Sequence, residues 1–314
     1  MPLALIVVTV VLAHTAYNGS RLDISLAALA SGASPLTVGV LMSLVAALPM
    51  LLGVPAGRLV DRVGVRVPIL CGLCLLIVAV IVPGIFPGIV ALHFAAVGIG
   101  SGFALFHICV QHMVGEMSSE ERRRDNFGWL ALGFAASNFI GPTFAGFFID
   151  TLGHRATFCL LALFASSALA ILLSRRASLA HKPHAERHTE ERSTFELLRN
   201  AELRRVFLVS GLLASAWDLF SFVTPIYGTS IGLNATTIGL ILGSFAAATF
   251  VVRLALPLLS RHLREWQMIT ATFSIACVAY AIFPMVRTVP LLAAIAFLLG
   301  LGLGATQPSI MALV

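Results

Sequence analysis

Charged residues are scarce in this sequence. They make up 11% of its 314 residues, whereas apolar residues make up 59%, and the mean hydropathy is +0.98. A soluble globular protein needs a polar surface that so few charges cannot provide. The composition therefore excludes an ordinary soluble domain and predicts an all-α membrane protein.

Signals of enzymatic and redox chemistry are also lacking. No glycine-rich phosphate loop follows a strand, and no nucleophile, base and carboxylate have the spacing of a known catalytic motif. Of the five cysteines, Cys71 and Cys74 form a C-x-x-C pair, but it lies in an apolar run without a second pair. We therefore expect no enzyme and no cofactor, and we interpret these cysteines as small packing residues.

Long apolar runs dominate what is present. A helix needs roughly 20 apolar residues to cross a bilayer core. Runs near that length fall at about 3–27, 35–57, 67–86, 88–113, 127–149, 156–173, 205–229, 235–257, 267–286 and 289–312. No basic residue precedes the first run, so we interpret it as a span and not as a signal peptide. The sequence predicts about ten transmembrane helices.

The basic residues predict the orientation of these spans. With the N-terminus in the cytoplasm, 16 of the 20 basic residues fall in inner loops, and only Arg155 and Arg287 fall in outer loops. Cytoplasmic loops carry such an excess. The chain is predicted to be a multi-pass protein of the cytoplasmic (inner) membrane. Its net positive charge indicates contact with the lipid bilayer and requires no nucleic acid.

One polar segment divides the chain. Residues 175–204 are predicted to be a cytoplasmic linker between a six-helix half, 1–174, and a four-helix half, 205–314. His181, His184 and His188 lie in this linker at a spacing that suits a metal site. Pro183 interrupts any helix that would align them, and no cysteine or carboxylate cluster completes a shell. We expect no metal.

The two halves share a sequence pattern at an offset near 200 residues. The charged loop at 57–66 has a weaker copy at 257–264. The same offset relates Thr37 to Thr237, Gly39 to Gly239, and Tyr17-Asn18 to Trp217-Asp218. Gly98, Gly100 and Gly102 recur 202 residues later as Gly300, Gly302 and Gly304. Such parallel repeats are typical of secondary transporters, whose binding site lies between the halves near the bilayer midplane.

The 57–66 loop resembles a known signature. Its residues Gly57, Asp61, Arg62, Gly64 and Arg66 are similar to the loop between helices 2 and 3 of the major facilitator superfamily. The resemblance implies a helical bundle of two repeat-related halves and a cytoplasmic gating function for this loop. It also implies twelve helices. The ten predicted here suggest a chain that lacks the last two.

A second resemblance lies in the fifth span. Gly133, Gly141, Pro142 and Gly146 are similar to the Gly-Pro motif in helix 5 of proton-coupled exporters of that family. Proline bends a helix and glycine permits close packing, so the motif predicts a kink and favours export. The arginine that these exporters often carry in helix 4 is replaced by Phe94, which weakens the analogy to a standard proton mechanism.

Polar residues inside the spans are the candidates for the transport site, because such residues are costly in a membrane. Asp218 lies near the middle of the seventh span, and its repeat equivalent Asn18 lies near the middle of the first. We predict that Asp218 binds the proton or the substrate. The alternative is a structural contact between helices. His14 and Asn138 are also central and are predicted to line the cavity.

Two aromatic residues stand directly before these polar positions. Tyr17 and Trp217 could offer their faces to an amphipathic or cationic substrate, or they could simply pack. Arg21 and Asp23 lie closer to the outer end of the first span. We expect them to pair with each other at the lipid headgroups.

Taken together, the sequence predicts a secondary active transporter that exports a small organic solute by alternating access, with protons as the coupling ion. Within the same fold, facilitated uptake or uniport is the alternative. A membrane sensor or partner protein that has lost transport, or an inactive truncated fragment, is a further alternative. Ligand binding without flux would distinguish a sensor from a transporter.

Overall fold

The computed structural model describes residues 2–174, 201–259 and 265–311. Within these residues the backbone forms helices and no strand. The helices are α1 (Leu3–Ala30), α2 (Pro35–Val63), α3 (Arg66–Ile85), α4 (Ile89–Met117), α5 (Glu120–Ser174), α6 (Ala201–Ser230), α7 (Ala235–Leu259), α8 (Glu265–Ile282) and α9 (Val289–Met311). A 3-10 turn, Phe283–Met285, follows α8.

Helix α5 consists of two arms. The backbone leaves the helical region at Gly153, with φ 80° and ψ 168°, a conformation that only glycine adopts readily. The first arm, 120–152, and the second arm, 154–174, correspond to the fifth and sixth predicted spans. Counted in this way, the described residues form ten helices, one at the position of each predicted span.

Most of these helices are long and apolar enough to cross a membrane. Six of the described helices meet that requirement, namely α1, α3, α4, α5, α6 and α7. Helix α2 is bent by 47° between Leu51 and Gly53, beside Pro49 and Pro55, as expected of prolines in a helix interior. The remaining apolar stretches, Ile269–Met285 and Val289–Ala305, are shorter. The predicted all-α membrane bundle is confirmed.

The internal repeat is visible in the turn between the first and second helices of each half. The turn after α1 contains Gly32 at φ 81°, and the turn after α6 contains Gly232 at φ 79°. Ser34 accepts a hydrogen bond from the amide of Thr37 at 3.2 Å, and Asn234 accepts one from Thr237 at 2.9 Å. Both residues are N-caps of the following helix. The offset between the two turns is 200 residues.

Glycine contacts give the same offset deeper in the bundle. A Cβ atom at Gly100 would overlap the carbonyl oxygen of Val45, and one at Gly300 would overlap that of Phe245. Gly100 therefore corresponds to Gly300, and the offset of 202 residues expected for these glycines is wrong. The sequence was misleading because glycine stands at every second position in both helices, so a two-residue shift also superposes glycines.

The two halves meet along the first arm of α5 and α7. The carbonyl oxygen of Ala235 lies against Gly146, and the carbonyl oxygen of Pro142 lies against Gly239. Toward the opposite end of the pair, Arg253 Nη1 donates to the carbonyl of Ala131 at 3.1 Å. Small residues let two helix backbones approach closely in a membrane, and here they join the halves.

The predicted linker falls almost wholly outside the described residues. Its last part, 201–204, is helical, because α6 begins at Ala201. His181, His184 and His188 lie outside the described residues. Where the structure is described, no group of three or more His, Cys, Asp or Glu side chains could hold a metal ion.

Candidate functional site

A chain of buried and half-buried polar side chains joins α1 to the first arm of α5. His14 Nδ1 lies 2.6 Å from Ser137 Oγ, and Asn18 Nδ2 lies 3.1 Å from His14 Nε2. Asn18 Nδ2 also donates to Asn138 Oδ1 at 2.8 Å. The Ser137 hydroxyl donates to backbone carbonyls of its own helix, so His14 Nδ1 donates to Ser137 and His14 Nε2 accepts from Asn18. This assigns a neutral imidazole to His14.

An aromatic layer lies beside this polar chain. The rings of Tyr17 and Phe103 stack at a centroid distance of 4.2 Å, and Phe103 also stacks on His14 at 5.0 Å. Phe134 meets both His14 and His107 edge to face, each at 5.0 Å. Tyr17 therefore packs on Phe103 of its own half.

An ion pair connects the two halves. Arg21 Nη2 donates to Asp218 Oδ1 at 2.8 Å, and the side chains are 14% and 51% exposed. The guanidinium also lies over the Tyr17 ring, 5.6 Å from its centroid, in the range of a cation–π contact. The expectation that Arg21 pairs with Asp23 at the headgroups is wrong, because residues two apart on a helix do not face each other.

A small cavity lies where these groups meet. Asn18, Arg21 and Asn138 line it from one half, and Trp217 and Phe245 line it from the other. Trp217 packs edge to face on Phe245 at 4.7 Å. Pro142 also lines the cavity.

Each predicted cavity residue can now be placed relative to this space. Asn18, Asn138 and Trp217 are among its lining residues. Asp218 is connected to it through Arg21. His14 is buried and accepts a hydrogen bond from the lining residue Asn18. The Tyr17 ring contacts the guanidinium of the lining residue Arg21. Both residues therefore hold lining residues in position. The sequence predicts a position at the headgroups for Arg21, and its contact with Asp218 of the other half places it in the site instead.

A second ionisable pair lies farther along α1. Asp23 is fully buried, and its Oδ1 lies 2.6 Å from His154 Nδ1 at the start of the second arm of α5. Its other oxygen, Oδ2, has no hydrogen-bond partner among the described residues. His154 is not among the site residues that the sequence predicts. The only signal was its position after Gly153, at the junction of two spans.

A carboxylate from the first half caps a helix of the second. Asp150 accepts hydrogen bonds from the amides of Ala235 and Thr236 at 3.1 and 2.7 Å and from Thr236 Oγ1 at 2.5 Å. These amides belong to the first turn of α7, where backbone donors lack helical partners. The cap joins the halves at the end of the bundle that the charge pattern predicts to face outward.

The 57–66 loop lies at the opposite end. The prediction that all of 57–66 is a loop is wrong, because α2 continues to Val63 and contains Gly57, and α3 begins at Arg66. Gly64 ends α2 at φ 75°. Asp61, Arg62 and Arg66 are exposed. Asp61 Oδ1 lies 3.6 Å from His112 Nε2 of α4, so it faces that helix. Residues 260–264 of the second copy lie outside the described residues.

The four residues of the predicted helix-5 motif are contact points. A Cβ atom at Gly133 would lie 3.1 Å from Val7 Cγ1, and one at Gly141 would lie 3.0 Å from the carbonyl oxygen of Thr15. Gly146 faces Ala235 of the other half. The interruption of α5 is at Gly153, and the backbone stays helical through Pro142. Gly133 and Gly141 thus pack against α1, and Gly146 packs against α7.

Comparisons with known proteins agree with this arrangement. The sequence profile of the Major Facilitator Superfamily matches residues 5–314. No curated protein matches the chain. A solved POT family transporter in complex with 5-aminolevulinic acid is similar in structure, with a TM-score of 0.79 at 17% sequence identity over 98% of this chain and 82% of that one.

Two further solved structures are similar. A POT family transporter in complex with a thioalcohol conjugated peptide has a TM-score of 0.80 at 16% identity, covering 98% of this chain and 82% of its own. A mutant peptide transporter POT in complex with sulfate has a TM-score of 0.78 at 16% identity, covering 98% and 80%. At these identities the likeness concerns the fold.

Proposed function

This chain belongs to the Major Facilitator Superfamily, and from that premise we propose that it is a proton-coupled exporter of a small organic solute in the cytoplasmic membrane. As a member of this family it is a multi-pass membrane transporter and not an enzyme. The export direction, the proton coupling, the inner-membrane location and the cytoplasmic N-terminus are our proposals.

The Arg21–Asp218 pair is the observation that carries the proposal. It bridges α1 and α6, which belong to different halves, and Arg21 lines the cavity between them. In alternating access the halves must move relative to each other around a central site. An ion pair across the halves holds one of the two conformations, so a solute that competes for Arg21 or Asp218 would favour the other.

The cavity offers complementary groups for a polar solute. Arg21 and Asp218 supply one positive and one negative charge, and Asn18 and Asn138 supply amides that donate and accept. Trp217 supplies an aromatic wall. Such a lining suits a small organic molecule with both apolar and ionisable parts.

Export is supported by the resemblance of Gly133, Gly141, Pro142 and Gly146 to the helix-5 motif of exporters. All four residues are buried contact points against α1 or α7, where a change in helix packing would alter the fit of the halves. We propose that the α5–α7 contact carries the conformational change and that the 57–66 loop gates the cytoplasmic end.

Uniport is the second candidate. Arg21 carries a permanent charge, so the Arg21–Asp218 pair is already neutral without a proton. The position expected for the helix-4 arginine is Phe94, which is 71% exposed. A transporter that moves its solute down a gradient needs no titrating group in the cavity.

Reconstitution of the purified full chain into liposomes tests the proposal. The probes are ethidium, a cationic aromatic dye, and 5-aminolevulinic acid, which one structural neighbour binds. A proton-coupled exporter accumulates a probe against its gradient when a pH gradient is imposed, whereas a uniporter only equilibrates it. Binding of a probe without flux would favour the sensor, and neither binding nor flux with either probe would contradict the solute class proposed here.

A further inference from the structure

The buried pair formed by Asp23 and His154 has no counterpart in the predicted transport site. The two groups lie on different helices, α1 and the second arm of α5. A buried charge in a membrane protein is costly and usually has a function. Asp23 is 0% exposed, and its Oδ2 has no hydrogen-bond partner among the described residues.

We propose that the Asp23–His154 pair is the proton-binding site that couples transport to the pH gradient. The inference rests on the proposed function of proton-coupled transport and assigns the proton to this pair, which leaves Asp218 for the solute. Without the bound proton the pair is an aspartate and a neutral imidazole, with a net charge of −1. Uptake of one proton makes the pair neutral, and its release restores the charge.

The pair is built to take up and release a proton. The imidazole of His154 is 29% exposed, so protons can reach it from water, while the carboxylate behind it is sealed. The position of His154 is fixed by the neighbouring Arg155, whose Nε donates to the carbonyl of Gly84 at 3.0 Å. His154 is the first residue after the helix break at Gly153, and it contacts Asp23 of α1.

The other ionisable groups of the surrounding helices are engaged elsewhere. Arg21 turns to Asp218, and Tyr227 of α6 donates to the carbonyl of Val286. On α4, His93 bonds to its own helix at Ile89, and His107 lies in the aromatic layer. The charged residues of α2 and α3, Arg58, Asp61, Arg62 and Arg66, lie at the opposite end of the bundle. Of the described ionisable groups, His154 is therefore the one that contacts Asp23.

The pair also has a route to the contact between the halves. His154 follows Asp150 by four residues in α5, and Asp150 accepts hydrogen bonds from the first turn of α7. The Asp23–His154 contact therefore lies close in the chain to the cap that joins the halves. A movement of His154 on proton uptake or release would act at that end of the bundle.

Infrared spectroscopy of the purified full chain tests the site without a solute. The pH is varied between about 5 and 8, where an imidazole ordinarily titrates. A carboxyl band reports a proton on Asp23, and imidazolium ring bands report one on His154. We expect a transition in the native chain that Asp23→Asn and His154→Gln each remove or move by about one pH unit. Asp125→Asn, which changes an exposed aspartate, should leave it unchanged.

If the transition in both variants occurs at the same pH as in the native chain, the assignment is overturned. If Asp23→Asn fails to fold, Asp23→Glu provides the comparison, because it keeps the carboxylate and should shift the transition without removing it.

Flux in proteoliposomes separates this inference from the proposed function. With ethidium and 5-aminolevulinic acid as probes, Asp23→Asn should reduce gradient-driven accumulation by at least about tenfold and leave exchange of internal for external probe intact. If the native chain drives no accumulation while Asp23 titrates, proton-coupled transport fails. If the native chain accumulates a probe and Asp23→Asn does so equally, the coupling site is elsewhere.

Discussion

At the scale of single residues, the contact between Arg21 and Asp218 determines the charge that the cavity presents to a solute. In the sequence, Asp218 looks like an unpaired carboxylate in a membrane span. Its partner, 2.8 Å away, makes it half of a neutral pair whose other half lines the cavity. The exposure of the Asp218 side chain, 51%, leaves it accessible to a solute.

We expect Asp218→Asn to reduce solute flux by about fivefold, which corresponds to about 1 kcal/mol, the upper range for a partly exposed ion pair. The substitution leaves Arg21 without its counterion and removes a charge from the site. Flux of ethidium or 5-aminolevulinic acid in proteoliposomes measures the effect.

The charge-swapped variant Arg21→Asp/Asp218→Arg is the matched control for the ion pair. If the pair acts as a contact between halves, the swap should recover part of the thermal stability that each single change loses, even where solute recognition is lost. Unchanged flux in Asp218→Asn would refute its place in the site.

At the scale of helices, the close approaches at glycine determine which elements can pack. Gly100 lets α4 approach α2 at Val45, and Gly300 lets α9 approach α7 at Phe245. Both contacts are backbone to backbone, so no side chain can move aside. The two contacts are equivalent in the repeat.

We expect Gly100→Ala and Gly300→Ala to destabilise the protein by about 1–3 kcal/mol each, because the added methyl group overpacks a tight contact. Thermal unfolding in detergent provides the measurement. Gly128→Ala is the control, because nothing lies within 4 Å of its Cβ position, and alanine favours a helix over glycine there. Equal melting temperatures for all three variants would contradict the contacts.

The cap on α7 is a second feature at this scale. Asp150 and Thr236 make a side-chain hydrogen bond and a backbone hydrogen bond across the halves. Asp150→Ala should lower the free energy of unfolding by about 1 kcal/mol, as is typical for the loss of an N-cap. A double-mutant cycle with Thr236→Ala should give a coupling of about 0.5–3 kcal/mol. Strictly additive effects would mean that the two side chains do not interact.

At the scale of the whole molecule, the charge pattern predicts which end faces the cytoplasm. Cysteine introduced at Ser31, in the turn after α1, should react with a membrane-impermeant maleimide in intact cells. Cysteine at Ser193, in the predicted linker, should react only after the cells are opened. Both are placed in a background without the five native cysteines, and the reverse pattern would invert the topology.

The sequence alone determined the class of the protein, the order of the spans and the family. The scarcity of charge requires lipid as the solvent, and hydrophobic runs of about 20 residues locate helices because every backbone hydrogen bond in a membrane must be satisfied locally. The loop with Gly57, Asp61 and Gly64 identified the family because its spacing is a local property of the chain.

Only the tertiary structure decided the partners of the ionisable residues. Arg21 pairs with Asp218 and Asp23 with His154, separations of 197 and 131 residues, and no local pattern specifies which helix faces which. The register of the glycine repeat was likewise ambiguous in sequence, and the Gly100–Val45 and Gly300–Phe245 contacts resolved it. Hydropathy specifies that a helix is buried in the membrane, but the packing of neighbouring helices determines which of its polar groups meet.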